Sequence, residues 1–309
     1  MQAVRVHNFG DVDALKIENV PRPVPGGGEV LLRVQAAGVG PWDAWIRAGR
    51  SVINQPLPLT LGSDVAGIIE EVGPGVTRFK PGDAVFGGTN DKFTGGYAEF
   101  AVAAAAKLAK MPQRIGFVEA ASVPVVACTA WEMVFEHGKV DASKRVLIHG
   151  AAGNVGAYAV QMAAGRALEL VATASSNDVP FVKSLGAHRV IDIQHSRFED
   201  RVADVDVVLD LVGGERQERS FAVLKRGGVM VSAVSNPDQR RAAQHGVQAF
   251  FFLVEVTASR LEQIAKLIDA GALSTSVGDV LPLADARLAH EMLAGKPHKR
   301  GKIVLTNNG

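Results

Sequence analysis

Three glycines, Gly150, Gly153 and Gly156, stand in the string VLIHGAAGNVG that runs from 146 to 156. The apolar run before them suits a buried strand and the run 157–164 suits a helix, so the glycines fall on a strand-to-helix turn. A turn of this kind can hold a dinucleotide pyrophosphate, because backbone N–H groups at a helix N-terminus face the ligand and no side chain intervenes. Gly150 can turn the chain, Gly153 can let the phosphates approach the backbone, and Gly156 can let helix and sheet pack closely. The expected cofactor-facing set is therefore Gly150, Ala152, Gly153, Asn154, Val155 and Gly156. A glycine-rich loop with no ligand is spelled the same way, so the residues downstream have to decide between the two.

Roughly twenty residues past the first glycine lies the position that meets the adenosine ribose, an Asp or Glu where the cofactor is NAD. Here the chain reads Thr173, Ala174, Ser175, Ser176. That string has no carboxylate to repel a 2′-phosphate, and Ser175 and Ser176 can donate hydrogen bonds to one, which favours NADP(H). A plain serine-rich loop is the alternative, and Asp178 would repel a phosphate if it pointed inward. Cys128, the only cysteine, sits in the apolar string VPVVACTAW and reads as an inert thiol; it rules out an intramolecular disulfide and a multi-cysteine metal site. None of the eight histidines sits in a string that assigns it a catalytic role.

The elements that must position these residues follow from the pattern. Strands at 145–149, 169–173, 189–193, 207–211, 228–233 and 248–254 alternate with helices ending at 165 and at 179–185 and 218–224. Such alternation predicts a doubly wound α/β domain with a parallel sheet and helices on both faces. Ahead of it, residues 1–118 are β-rich, with strands at 3–7, 15–19, 30–37, 65–72 and 84–87 and the turn strings PRPVPGGGE and GPGVTRFKPGD, which predict a small barrel. Residues 119–137 read as helical, interrupted at Pro124; 261–270 and 284–293 also read as helices, and 301–305 (GKIVL) as a strand returning to the first domain. The domain division expected is 1–118 completed by 273–309, and 119–272 for the nucleotide.

Composition narrows the partners. The 309 residues are 47% hydrophobic and 21% charged with a formal net charge of +1, and no long run of one sign suggests nucleic acid or a polybasic membrane patch. A small-molecule substrate is expected instead. The first ten residues lack the apolar core of a signal peptide and no stretch approaches about 18 uninterrupted apolar residues, so a cytoplasmic protein is expected.

Taken together, the strings LGSDVAGIIEEVGPGVTRFKPGDAVFG, GGYAEFAV, HGAAGNVG, KSLGAHRVID and GKIVL resemble the medium-chain dehydrogenase/reductase superfamily, within it the zinc-independent quinone oxidoreductase branch related to zeta-crystallin. The resemblance spans 1–305 and implies a GroES-like β-barrel catalytic domain plus a Rossmann domain, enclosing a cleft in which NADPH delivers hydride to a quinone or activated alkene. Where the zinc-using branch has a cysteine and a GHE string, this chain has Gly40 and then LGSD, with Ser63 and Asp64 in place of the His and Glu, so no metal is expected. Thr129, the turn from Val212 to Gly214, and Val234 with Ser235 fall where family members line the nicotinamide end.

The same resemblance carries the catalytic expectation. In AGVGPWDAWIRAG the branch usually presents an Asn at the place of Gly40 and a Tyr at the place of Trp45, and Asp43 alone matches. Asp43 could orient a proton relay or cap a helix; Trp45 can stack on a flat ring and offer its indole N–H but cannot supply a proton. The branch often carries a Lys or Arg near Asn177 and Asp178 and a Tyr at the place of Ile193, and this chain lacks both. The expectation is an NADPH-dependent reductase of quinones, enones or related carbonyls. A cofactor-binding redox sensor with little turnover and an enoyl-thioester reductase are the alternatives. Family members commonly dimerise through the Rossmann sheet edge, here the apolar run 250–256, so a homodimer is expected.

Overall fold

A computed structural model describes residues 1–307. The chain opens with β1 (Gln2–Val6), β2 (Leu15–Asn19) and β3 (Glu29–Val39), then α1 (Pro41–Arg47) and the short β4 (Leu59–Thr60). It continues through β5 (Asp64–Val72), β6 (Ala84–Gly88), β7 (Phe100–Ala104), β8 (Leu108–Lys110), α2 (Phe117–Ala121) and α3 (Pro124–Trp131). The β/α alternation comprises β9 (Arg145–His149), α4 (Asn154–Ala163), β10 (Glu169–Ala174), α5 (Val179–Ser184), β11 (Arg189–Asp192), β12 (Val205–Asp210), α6 (Gly214–Ser220), β13 (Leu224–Ser232), α7 (Gln239–His245) and β14 (Gln248–Phe251). The chain closes with α8 (Ala258–Asp269), β15 (Val277–Pro282), α9 (Ala286–Leu293) and β16 (Lys302–Thr306).

These elements form two compact units, 1–125 with 255–309, and 126–254. The borders lie later than 118 and earlier than 272 because α2 packs on β3 and β5 of the first unit and α8 packs on β8. In the first unit β3 is the organising strand. It pairs antiparallel with β5, β7 and β16; its alternating apolar residues Val30, Leu32 and Val34, and Val39 beyond a register shift at Val34/Ala36, enter a core with Ile69, Val85, Leu108 and Ile303. The predicted return of GKIVL is β16, laid against β3 from Ile303 opposite Val39 to Thr306 opposite Ala36. Strand β7, which the sequence pattern did not signal, lies in the Ala-rich stretch 100–106; its helix propensity is overridden by pairing along β3 from Phe100 to Ala104.

In the second unit a parallel sheet has the order β11-β10-β9-β12-β13-β14. Order reverses beside β9, which places the switch point of the sheet at the C-terminal end of that strand. Strands β9, β10 and β12 are buried on both faces and read as nearly continuous apolar runs, as a sheet covered by helices requires. Two expectations shift here. The helix expected at 218–224 begins at Gly214, directly after the positive-φ Gly213, and Leu224 already belongs to β13. The last strand ends at Phe251 rather than 254, since only Gln248–Phe251 have partners on β13.

Helix α4 approaches its loop so closely that a Cβ on Gly156 would overlap Gly150 O and the Ala151 backbone. Replacing Gly156 with Val should therefore destabilise the protein by about 3 kcal/mol, read as a lower denaturant midpoint, whereas Ala at Gly165, where a Cβ meets nothing but φ is +69°, should cost only about 1 kcal/mol.

Candidate active site

Gly150, at φ +72°, turns the chain out of β9, and Gly153 serves as the N-cap of α4 with no side chain capping it. The first-turn N–H groups of α4, from Asn154, Val155 and Gly156, have no intrahelical acceptor by helix geometry and are open to an anion. The turn is joined by the loops expected to line the nicotinamide end. A Cβ on Gly150 would lie 3.1 Å from Val212 Cγ2, and one on Gly213 would lie 3.0 Å from Ser235 Oγ and 3.4 Å from Val234 Cγ2. Val212 and Val234 are two of the unit's exposed large apolar side chains. Gly150, Val212, Val234 and Ser235 thus converge at the ends of β9, β12 and β13, while Thr129 is buried on α3.

A residue the sequence reading passed over builds this convergence. Asp210, fully buried at the end of β12, accepts hydrogen bonds from the N–H groups of Val212 (3.0 Å) and Gly213 (2.9 Å), from Ser232 Oγ (2.9 Å) and from Gln217 Nε2 (2.8 Å). Gln217 Nε2 also lies 3.1 Å from Ser235 Oγ, so one carboxylate and one amide hold both loops. A lone Asp closing the apolar run VDVVLD ahead of two glycines was the available signal. Below the glycine turn, His149 is held between Thr173 Oγ1 and Ser220 Oγ, each at 2.9 Å. Ser220 donates to the Arg216 carbonyl, so it accepts from His149 Nε2–H and Thr173 donates to Nδ1. Burial pushes this imidazole down to about 3, and it is neutral.

At the end of β10 the two serines are already engaged. Ser175 Oγ donates to Asp178 at 2.6 Å, and Ser176 Oγ donates to Asp192 at 2.6 Å. Asp192 is held below the usual carboxylate range by Ser176, the Gln194 N–H and His195, so the carboxylate missing from the β10 string is supplied by the neighbouring strand. Parallel pairing explains why, since Asp192 lies opposite Ala174. The residues fit a bound nicotinamide dinucleotide: a bare helix N-terminus, a positive-φ glycine and an ordered loop pair stand together at a sheet switch point.

The first unit contains a buried ionic network. Asp43 Oδ2 accepts from the Gly40 N–H at 2.8 Å and the Tyr97 hydroxyl at 2.9 Å, so Asp43 caps α1. Its Oδ1 has no hydrogen-bond partner among the described residues. Burial pushes the Asp43 carboxyl up to about 7, against the pull of Gly40, Lys302 and Tyr97, and the Tyr97 phenol is raised by burial and by Asp43. Asp64, also fully buried, accepts from Lys302 Nζ at 3.0 Å and from the Val125 N–H at 3.0 Å; burial raises its carboxyl and Lys302 draws it back. The Lys302 ammonium sits 4.1 Å from the centre of the Trp42 ring, whose Nε1–H donates to Ser63 Oγ at 3.1 Å. Trp45, by contrast, is 52% exposed.

Zinc does not fit this arrangement. Gly40 offers no ligand and the Trp42 ring fills the space a Cβ would take there; Ser63 is turned to Trp42 and Asp64 to Lys302. Among the described residues no group of three or more His, Cys, Asp or Glu could hold a metal ion.

A mainly antiparallel sheet in one unit and a parallel sheet with a glycine turn at its switch point in the other define an oxidoreductase of the alcohol dehydrogenase type. Residues 26–113 match the alcohol dehydrogenase GroES-like domain, and 185–305 match a model described as zinc-binding dehydrogenase. The chain is 33% identical to the quinone oxidoreductase of Mus musculus over 325 residues, covering 99% of this chain and 97% of the mouse protein. Among solved structures, the quinone oxidoreductase from Coxiella burnetii superposes with a TM-score of 0.91 at 30% identity, and an NAD-dependent alcohol dehydrogenase with 0.90 at 29%; each comparison covers 99% of both chains. The chain belongs to the medium-chain dehydrogenase/reductase superfamily, among its quinone oxidoreductase, zeta-crystallin-like members, and is an oxidoreductase with a nicotinamide cofactor site.

Two predictions follow from the buried groups. Because native Asp43 keeps its proton to about pH 7 and the unfolded carboxyl loses it near 3.8, wild-type stability is drained by this group as pH rises through that window. Relative to wild type, Asp43→Asn should gain stability by up to about 1.4 kcal/mol per pH unit between pH 4 and 7 and be level above it, by urea unfolding at several pH values. Lys302→Met leaves Asp64 buried without its cation and should cost about 3–5 kcal/mol, much of it recovered when Asp64→Asn is added.

Proposed function

We propose that this chain is a zinc-independent, NADPH-dependent reductase that transfers hydride to a quinone, an enone or a related activated carbonyl, as a cytoplasmic homodimer. The observation that carries the reading is the convergence of Gly150, Val212, Val234 and Ser235 around the bare N-terminus of α4, ordered by Asp210. NADPH, when bound, supplies the hydride. The α4 first turn neutralises the pyrophosphate, the apolar Val212 and Val234 side chains exclude water from the reacting ring, and Ser235 offers a hydroxyl to its polar edge. In the first unit Asp43 acts by holding the start of α1, and through it Trp45 two residues later, whose exposed indole N–H would be free to donate to a substrate oxygen. The single buried cysteine suits a reducing compartment, and β14, an edge of the parallel sheet, is the strand offered to a second copy.

The test is a titration with NADPH and NADH, then absorbance decay on adding a quinone panel and an enone panel. Turnover on either panel supports the reading; tight binding with no turnover on any acceptor favours a redox sensor and overturns it. Gly153→Leu should weaken both dinucleotides by at least about tenfold, near 1.4 kcal/mol, and Trp45→Phe should lower kcat by about tenfold while leaving NADPH affinity unchanged. A dimer in sedimentation at micromolar protein is expected, and a monomer would refute that part.

A further inference from the structure

Beyond the end of β10 lies a cationic pocket of about 270 Å³ that the glycine turn, the serines and the loop pair leave unused. It is lined by the chain from Ile193 to Phe198, after β11, and by Arg216 and Arg219 on α6. Three guanidiniums and one imidazole face it or flank it. Two carboxylates pair with its wall: Glu199 accepts from Arg197 at 3.0 Å and from Arg219 at 2.9 Å, and Asp192 Oδ2 lies 2.9 Å from His195 Nδ1. The Arg216 guanidinium has no hydrogen-bond or ion-pair partner among the described residues, and Arg219 Nε is a buried donor with no acceptor. Burial and the neighbouring Arg219 hold the Arg216 guanidinium below its ordinary range, as expected of a cation awaiting an anion.

The pocket adjoins the position of the adenosine ribose. Ser176 N–H donates to Gln194 Oε1 at 3.1 Å and Ser176 Oγ lies 3.2 Å from His195 Nδ1, so the β10 end and the pocket wall are one bonded structure. Asp178 and Asp192 stand on the other side of that junction, each taken up by a serine hydroxyl and Asp192 also by His195. An anion reaching the serines would meet those two carboxylates, whereas the pocket that Gln194 and His195 also line carries arginine. Arginine presents a planar fork that matches a phosphate with paired N–H groups.

We propose that this pocket takes the 2′-phosphate of NADP(H), with Arg216 and Arg219 as its ligands in place of the serines. The proposal rests on the dinucleotide reading above and adds the residues that set cofactor preference. It replaces the expectation that Ser175 and Ser176 hold that phosphate, and it gives the chain a route to NADPH despite the carboxylates beside them.

The experiment is isothermal titration of the full-length protein with NADPH, NADH, 2′,5′-ADP and 5′-AMP, for wild type, Arg216→Gln and Arg219→Gln. Wild type should bind 2′,5′-ADP at least about tenfold tighter than 5′-AMP. Arg216→Gln should weaken NADPH and 2′,5′-ADP by about tenfold and leave NADH within twofold, the retained NADH binding showing that the fold is intact; the NADPH preference should also shrink as salt is raised. Equal loss of NADPH and NADH in Arg216→Gln would overturn the proposal, since the pocket would then hold the adenosine common to both. A wild type that binds NADH and not NADPH would overturn it while leaving the dinucleotide site standing. If neither dinucleotide binds, the functional reading itself fails, and the proposal with it.

Discussion

The first unit is built around a charge it cannot leave uncompensated. Asp64 and Lys302 are fully buried, and they join β5 to β16, strands far apart in sequence with β3 between them. The ammonium stem runs past Gly38, where a Cβ would lie 3.0 Å from Lys302 Cε and overlap the Ala121 carbonyl, so a glycine in β3 is the condition for the pair to form. The second Asp64 oxygen takes the Val125 N–H at the start of α3. One carboxylate therefore fixes the closing strand and the entry to a helix together. A buried ion pair is a poor source of stability and a demanding one to break, and its value here is geometric. Beside it the Trp42 ring lies over the Lys302 ammonium and donates to Ser63, so cation, indole and hydroxyl occupy one another.

The second unit solves the opposite problem. A dinucleotide brings its own charge, and the chain meets it with backbone rather than side chains: a helix end with no cap, a glycine at positive φ and two loops tied to Asp210. Buried polar groups that are all satisfied are rigid, and Asp210, Gln217 and Ser232 form such a set. The same economy explains His149, which lies beneath the glycine turn yet is neutral and locked between two hydroxyls. It orders the floor of the site and is not poised to exchange protons.

Much of this was legible in the sequence, for physical reasons that differ by element. The glycine turn was readable because backbone conformation dictates residue type there: only glycine suits the φ of Gly150 and the approach at Gly156. The parallel sheet was readable because burial on both faces leaves apolar runs. Strand β7 was not, because its alanines favour helix locally and only β3 makes them a strand. Asp43 could be read as a helix cap or a relay; its bond to the Gly40 N–H makes it a cap, and the Tyr97 hydroxyl on the same oxygen was not signalled by any local string. Asp192 was invisible because its place beside Ser176 is set by strand pairing, which no local string records. Trp42 and Trp45 could not be told apart by spacing; one is stacked on Lys302 and the other exposed, according to which side of α1 each occupies.

The reduction proposed above needs no metal, because the Lys302 ammonium and the Trp42 ring occupy the ground beside Gly40 and Ser63. The most direct measurement is quinone-dependent oxidation of NADPH by protein dialysed against a strong chelator, with bound metal quantified in the same sample. Undiminished turnover at substoichiometric metal, with no stimulation by added zinc, is expected. Loss of turnover on chelation, restored by one equivalent of zinc per chain, would contradict it.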